Sequence, residues 1–176
     1  EGRSMTVPDF VVVMGVAGAG KSTVAQQLAS ALGAAFIEAD ALHPPENVAR
    51  MRQGIGLTDA MRWPWLEAVC AAARAEPRRP VVIACSALRA IYRDFLRERL
   101  AGVRFVYLHG PRELIAGRLQ ARPGHFAGIT LLDSQLATLE PPEPGEGAVA
   151  ISLTLCPEAM VDEAVRGLGA AEREPG

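Results

Sequence analysis

The chain has 176 residues, of which 49% are hydrophobic and 22% charged, a balance that predicts one soluble globular domain rather than a disordered chain. Its formal net charge of −2 and its aromatic content of 5% argue against the basic, ring-rich surface typical of nucleic-acid-binding proteins. No apolar run approaches the roughly 18 residues that a membrane-spanning helix needs, so we expect neither nucleic acid nor a membrane as a partner.

The N-terminus and the cysteines indicate where the natural protein begins and where it works. Residues 1–4 are polar and precede Met5, so we interpret them as a remnant of expression and Met5 as the natural start. Cys70, Cys85 and Cys156 lie far apart and form no CxxC pair, which is typical of a reducing compartment. We therefore expect a cytoplasmic protein.

Buried strands and amphipathic helices alternate along the chain. Residues 10–14 (FVVVM) form a continuous apolar run, as in a strand that is covered on both faces. A helix follows from Lys21, with apolar residues at every fourth position, and Gly33 ends it. Further strands are predicted at 35–38, 81–85, 103–109 and 148–153, and further helices at 88–100, 112–122 and 158–168. The alternation predicts an α/β fold with a five-stranded parallel sheet flanked by helices.

Two segments interrupt this alternation. Residues 41–79 separate the second and third strands and contain short helical stretches broken by Pro and Gly. Residues 122–145 separate the fourth and fifth strands and include a stretch rich in Pro, Glu and Gly. Insertions of this kind commonly cover a substrate at the carboxyl edge of a parallel sheet, so we expect both to border the functional site.

Residues 15–22 (GVAGAGKS) match the phosphate-loop pattern GxxxxGK[ST], and they follow a strand and open a helix as that motif requires. Glycines let the backbone N–H groups turn toward a phosphate, and the helix N-terminus adds positive potential. Lys21, the only lysine among 18 basic residues, is a catalytic candidate that neutralises phosphate charge, and Ser22 can ligate Mg²⁺. We therefore expect ATP and Mg²⁺ to bind here. The predicted nucleotide-binding residues are Gly15, Val16, Ala17, Gly18, Ala19, Gly20, Lys21, Ser22 and Thr23.

A carboxylate just past the second strand indicates the chemistry. The chain contains neither NKxD nor DxxG, the motifs that a switch GTPase would need. A small-molecule kinase instead needs a carboxylate that can orient and deprotonate an alcohol near the γ-phosphate. Asp40 suits that role, and Glu38, on the same face of an extended segment, is expected to approach the Mg²⁺ shell.

Several longer segments resemble bacterial gluconokinases of the P-loop type, over about residues 12–168. Among them are residues 36–44 (FIEADALHP), 85–94 (CSALRAIYRD) and 118–126 (RLQARPGHF). The resemblance implies a P-loop kinase fold with a helical substrate-binding insertion and a lid. We accordingly expect a single domain over residues 5–170, with the insertion at about 41–79 and the lid at about 119–135. The implied reaction is phosphorylation of D-gluconate by ATP, giving 6-phosphogluconate and ADP, and the implied assembly is a homodimer.

The resemblance also implies roles for individual residues. Asp40 is implied to orient and deprotonate the gluconate hydroxyl. Arg118 and Arg122, at the entrance to the lid, resemble catalytic arginines that cover the nucleotide phosphates and stabilise developing charge. The implied substrate contacts are Asp40, His43, Arg50, Arg89, Arg93 and Gln135, in which guanidinium groups would hold the carboxylate of an acid sugar.

The sequence departs from the family pattern at some positions and leaves alternatives open. The third strand ends in Cys85 and Ser86 without an aspartate, so Mg²⁺ would rest on Ser22, nucleotide oxygens and water. A shikimate or nucleoside monophosphate kinase is the alternative enzyme, although shikimate kinases typically carry three glycines where residues 85–87 stand. A catalytically silent nucleotide-binding regulator is the alternative from another class, and the presence of Lys21 and Asp40 argues against it.

Overall fold

The computed structural model describes residues 7–121 and 125–170, and within them the predicted parallel sheet is confirmed. Its strands are β1 (Phe10–Met14), β2 (Ala35–Glu38), β3 (Val81–Ala84), β4 (Arg104–His109) and β5 (Val149–Ser152). They form a 5-stranded sheet in the order β2-β3-β1-β4-β5, and every pairing is parallel. The chain order reverses beside β1, so the carboxyl ends of β1 and β3 border the crevice in which α/β sheets of this type bind ligands.

Helices cover both faces of the sheet. They are α1 (Lys21–Leu32), α2 (Pro45–Arg52), α3 (Asp59–Ala75), α4 (Ala90–Arg99), α5 (Arg112–Gln120), α6 (His125–Thr138) and α7 (Pro157–Ala170), with 3-10 helices at Ala39–Leu42 and Pro144–Glu146. The first insertion therefore contains α2 and α3, and the second contains α6, which the sequence analysis did not predict. None of the helices in the described ranges is both long and apolar enough to cross a bilayer.

The central strands consist of uninterrupted apolar residues because both of their faces are buried. All five residues of β1 are buried, because β3 and β4 flank it and helices pack on both of its faces. In α3, Trp65, Val69 and Ala73 recur every four residues and are buried as one stripe against the sheet. Thr58 caps this helix by accepting a hydrogen bond from the Met61 N–H. The position of Trp65 follows from this packing, and Trp65 in turn shapes the site.

Candidate active site

The phosphate loop joins β1 to α1, and two of its glycines have conformations that other residues rarely adopt. Gly18 and Gly20 both have φ of 82°, and Gly20 is the N-cap of α1. A Cβ atom on Gly18 would also lie 2.7 Å from Cγ of Leu119, so the loop packs closely on α5. The predicted nucleotide-binding residues 15–23 thus form one loop and the first turn of α1.

Lys21 folds back over the loop that precedes it. Its Nζ donates a hydrogen bond to the carbonyl oxygen of Val16 at 3.1 Å. Burial lowers the pKa of Lys21, and the negative charge of Asp40 opposes that shift. The ammonium group therefore lies against the phosphate loop, where the charge of Asp40, the residue predicted to receive the substrate proton, acts on it.

Ser22 and Glu38 bring two oxygen ligands together beside the loop. The Ser22 hydroxyl donates a hydrogen bond to one carboxylate oxygen of Glu38, and the other accepts from the Asp40 N–H at 3.3 Å. Burial raises the pKa of the Cys85 thiol to about 12, so this residue after β3 stays a neutral thiol and offers Mg²⁺ no anionic oxygen. A hydroxyl beside a carboxylate fits Mg²⁺, which prefers oxygen ligands and retains several waters.

Trp65 positions the segment that carries Asp40. Its indole Nε1 donates a hydrogen bond to the carbonyl oxygen of Ala39 at 2.7 Å, immediately before Asp40. The His43 ring stacks on the Trp65 ring, with centroids 4.1 Å apart and planes 16° apart. His43 Nε2 then lies 3.8 Å from Asp40 Oδ1, and the side chains are 2% and 64% exposed, respectively. Asp40 is therefore open to a ligand, whereas its supporting residues are buried.

A small cavity adjoins Asp40 and His43. It has a volume of about 20 Å³, enough for roughly one water molecule, and Arg62, Ser86 and Gln135 also line it. Gln135 of α6 reaches across to the phosphate loop, where its Oε1 accepts a hydrogen bond from the Ala17 N–H at 2.6 Å. Helix α6 therefore forms one wall of the cavity, which in this structure is too small to hold a sugar acid.

A larger cavity of about 500 Å³ lies on the other side of Arg62. Arg89 Nη1 donates to Asp59 at 2.6 Å, and the Tyr92 hydroxyl donates to the other oxygen of that carboxylate. Both hydrogen bonds lower the pKa of Asp59, and the bond from Tyr92 has the larger effect. Arg62 Nη1 donates to the Tyr92 hydroxyl at 2.5 Å, and Arg62 lines both cavities. Asp59 and Glu140 accompany the predicted substrate residue Arg89 and balance its charge.

The structure corrects the prediction for Arg93. Its side chain is 1% exposed, with Nε and Nη2 donating to the carboxylate of Glu146 at 2.8 and 3.1 Å. Its Nη1 donates to the carbonyl oxygen of Ala87 at 2.9 Å. The guanidinium lines neither the cavity at Asp40 nor the larger cavity beyond Arg62, and each of its three nitrogens donates to a protein group, so a substrate contact is wrong for this structure. Arg89 precedes α4 and Arg93 lies inside it, so the two side chains point to different partners despite their helical spacing.

The other predicted arginines hold loops in this structure. Arg50 donates through Nε and Nη2 to the carbonyl oxygen of Gly56, at 3.3 and 2.8 Å. Arg118 Nη2 donates to the carbonyl oxygen of Leu153 at 3.2 Å. Residue 122, the second predicted lid arginine, lies outside the described residues. Neither Arg50 nor Arg118 lines the two cavities beside Asp40.

Arg62 is a candidate substrate-binding residue that the sequence analysis did not single out. It is 6% exposed and lies on the buried side of α3, three residues before Trp65. The sequence did contain a signal that could have identified it, an arginine on an otherwise apolar helix face. A charged group is rarely buried on such a face without a partner or a function.

The sheet is parallel, a phosphate loop follows its central strand, and a carboxylate follows another strand further along the sheet. Together these features define a P-loop kinase. The family described as AAA domain matches residues 10–142. Gluconokinase from Gluconobacter oxydans (strain 621H) is 45% identical over 162 residues, which cover 90% of each chain. The solved gluconokinase from Sinorhizobium meliloti 1021 superposes with a TM-score of 0.85 at 46% identity, over 94% of each chain. This chain belongs to the gluconokinase family, and it is a kinase.

The comparison with shikimate kinase separates fold from family. The enzyme from Aquifex aeolicus superposes with a TM-score of 0.57 over 94% of this chain, but at only 17% identity. That similarity concerns the fold alone. The sequence resemblance is therefore confirmed for the gluconokinase family, and the shikimate kinase alternative loses its support.

Proposed function

We propose that this chain transfers the γ-phosphoryl group of ATP to a hydroxyl of D-gluconate, giving 6-phosphogluconate and ADP. The observation that carries the proposal is the exposed Asp40 carboxylate beside the phosphate loop, close enough for its charge to act on Lys21. Membership of the gluconokinase family supports gluconate as the acceptor.

In the proposed reaction, the attacking hydroxyl oxygen bonds to the γ-phosphorus while the bond from that phosphorus to the β–γ bridging oxygen breaks. Asp40 accepts the proton that the hydroxyl loses. Lys21 and the backbone N–H groups of the phosphate loop balance the charge of the phosphates. When bound, Mg²⁺ would supply further positive charge, and Ser22, with Glu38 acting through water, would hold it.

The remaining substrate contacts are proposed from the groups around the two cavities. His43, Gln135 and Arg62 line the cavity beside Asp40 and offer hydrogen bonds to hydroxyls or a carboxylate. Arg89, in the adjoining cavity, would extend this set once the two spaces join. Arg50, the other predicted substrate contact, would have to release the Gly56 carbonyl before its guanidinium could reach a ligand.

The lid is proposed at about residues 119–135, with Arg118 and Arg122 as its phosphate contacts. Arg118 would have to exchange its bond to the Leu153 carbonyl for a phosphate oxygen. The proposed substrate-binding insertion, at about residues 41–79, supplies His43 and Arg62 from the opposite side. A substrate would then be enclosed between two elements that approach the sheet edge from different parts of the chain.

We further infer a cytoplasmic homodimer that acts in carbohydrate metabolism. The family resemblance supports the dimer, and gluconate as substrate supports the metabolic role. Free thiols at Cys70, Cys85 and Cys156 support a reducing compartment. Sedimentation velocity of the purified chain tests the dimer, which a single-chain mass at every concentration would contradict.

The decisive experiment measures ADP release with gluconate, shikimate, glucose, nucleoside monophosphates or water as acceptor. We expect rapid turnover on gluconate and almost none on neutral glucose, because glucose has no carboxylate to accept hydrogen bonds from Arg62 and Arg89. Equal rates on glucose and gluconate would overturn the proposal. Turnover with water alone, or none at all, would favour a regulator.

A further inference from the structure

His43 is held on one side of its ring by a buried amide. Asn47 is 1% exposed, and its Nδ2 lies 3.2 Å from Nδ1 of His43. The same Nδ2 lies 3.2 Å from the carbonyl oxygen of Met61 at the start of α3. Asn47 therefore links His43, which follows the 3-10 helix Ala39–Leu42, to the element that also carries Trp65.

The chemistry of these three groups determines where the imidazole proton lies. The carbonyl of Met61 can only accept a hydrogen bond, so the atom of Asn47 that faces it must be the amide nitrogen. The same nitrogen faces His43 Nδ1, and it can only donate. Nδ1 must therefore be an acceptor without a proton, which leaves the proton of a neutral ring on Nε2.

We propose that Asn47 is a positioning residue, which fixes His43 as its neutral Nε2–H tautomer so that the ring donates a hydrogen bond to the reacting hydroxyl of the acceptor. The separation of 3.8 Å between His43 Nε2 and Asp40 Oδ1 is too long for a direct hydrogen bond. It allows one hydroxyl oxygen to lie about 2.8 Å from both atoms. That hydroxyl would accept from His43 and donate to Asp40, so its proton points at the proposed base.

The other tautomer would work against this arrangement. Its Nε2 would be an acceptor and would compete with Asp40 for the hydroxyl proton. The charged groups facing the ring are Asp40, from the 3-10 helix, and Arg62, from α3, while Gln135 of α6 is neutral. Burial, reinforced by the positive charge of Arg62, lowers the pKa of His43 to about 4, so the ring is neutral under physiological conditions.

Nitrogen NMR tests the tautomer directly. In protein labelled with ¹⁵N-histidine, the His43 signals are assigned by their loss in His43→Gln. We expect a protonated Nε2 and an unprotonated Nδ1 at neutral pH. Asn47→Asp places an acceptor beside Nδ1 and should shift the proton there or charge the ring. A wild-type ring with its proton on Nδ1, or a charged ring at neutral pH, would overturn the proposal.

Kinetics test whether Asn47 acts through His43. We expect Asn47→Asp to lower kcat on gluconate at least about tenfold with little change in KM for ATP. In a His43→Gln background the same change should cost less than about twofold, because the effect requires the ring. Equal losses in both backgrounds would show a merely structural role and contradict the proposal.

A second variant guards against misfolding caused by the buried charge. Asn47→Leu keeps the branched shape of the side chain and removes the donor without adding a charge, so the same pattern of rates is expected. The inference rests on the proposed phosphorylation of gluconate, but the NMR result does not. A chain without gluconokinase activity would refute the function alone, whereas the wrong tautomer in an active enzyme would refute only the role of Asn47.

Discussion

Asp40 combines an open side chain with a rigid backbone. Its carboxylate is 64% exposed, yet the Trp65 indole holds the preceding carbonyl and Glu38 accepts from its N–H. An exposed carboxylate contributes little to folding, so its removal should affect chemistry more than stability. The residues around it are buried, and their replacement should affect both.

Replacement of Asp40 by Asn tests the proposed base. Asn keeps the shape and can still accept a hydrogen bond, but it cannot take the proton. We expect turnover on gluconate to fall by roughly 10² to 10⁴, with ATP affinity and melting temperature almost unchanged. Single-turnover rates and calorimetric binding of ATP measure the two effects separately. Unchanged turnover would remove Asp40 from the mechanism, and a parallel loss of ATP binding and stability would indicate a structural role.

Replacement of Lys21 by Arg tests whether charge alone suffices in the phosphate loop. The Lys21 ammonium donates to the Val16 carbonyl inside the loop, a space that a wide planar guanidinium would crowd. We expect turnover to fall at least about tenfold, or roughly 1.4 kcal/mol, although the charge is kept. Lys21→Met, which removes the charge, is the comparison and should lose more. Near-normal turnover in Lys21→Arg would show that the lone lysine has no special role.

At the scale of elements, a buried ion pair joins α4 to the 3-10 helix Pro144–Glu146. Arg93 binds Glu146 and also the Ala87 carbonyl, and Ala87 has a φ of 45°, which is uncommon for alanine. Ser86, which lines the cavity beside Asp40, immediately precedes this turn. The ion pair therefore stabilises the backbone that borders the site, without touching a ligand.

The same ion pair predicts how stability depends on pH. The hydrogen bonds from Arg93 lower the pKa of Glu146 from 4.5 to about 2. Because the folded-state pKa is depressed, its stabilisation is complete above about pH 4.5 and is lost as pH falls toward 2. The full shift is equivalent to about 3 kcal/mol, and screening by solvent at this partly buried carboxylate makes the loss smaller than that. Denaturant unfolding at a series of pH values measures it.

Two variants give that measurement its controls. Glu146→Gln should be less stable at neutral pH by about 1–3 kcal/mol, because Arg93 is left without its anion while the partly exposed side of the pair is screened by solvent. Its stability should then fall less steeply than that of the wild type below pH 4.5. Glu98→Gln, which removes an exposed carboxylate on α4, should keep the wild-type slope. Equal slopes in the wild type and Glu146→Gln would contradict the assigned cause.

At the scale of the whole molecule, a contact between distant parts of the chain narrows the site. Helix α6 spans the cavity beside Asp40 and reaches the phosphate loop through Gln135. On its other side, a Cβ atom on Gly56 would lie 3.5 Å from Cβ of Ser134 on α6. The insertion, the phosphate loop and α6 therefore meet beside Asp40, whose side chain stays exposed, and the cavity of about 20 Å³ between them is too small for a sugar acid.

A disulfide across this contact should trap the closed form. The distance of 3.5 Å between the two Cβ positions is within the range of disulfides, so Gly56→Cys with Ser134→Cys should cross-link. We expect oxidation to abolish turnover on gluconate and a reductant to restore it. Each single variant is the control, in a Cys156→Ser background because Cys156 is exposed. Full activity of the cross-linked protein would show that α6 need not move.

Local spacing was enough to predict the sheet, the phosphate loop and the place of Asp40 just after β2. The apolar run of β1, the loop at residues 15–22 and the carboxylate after β2 each depend on neighbours within a few positions. Backbone geometry along one element is governed by those neighbours, so such features can be predicted from the chain alone. The family resemblance, carried by strings of the same local kind, was confirmed.

Tertiary structure alone decided which side chains meet. Arg93 and Glu146 are 53 positions apart. No periodicity in α4 indicates that protein groups would occupy the donors of Arg93 and keep it from contacting a ligand. The same holds for Arg62, which reaches both cavities, and for Asn47, whose partners lie 4 and 14 positions away on different elements. Helical spacing predicts which residues share a face, but packing against distant elements decides what that face contacts. For that reason the phosphate loop could be predicted from the sequence, and the groups that surround Asp40 could not.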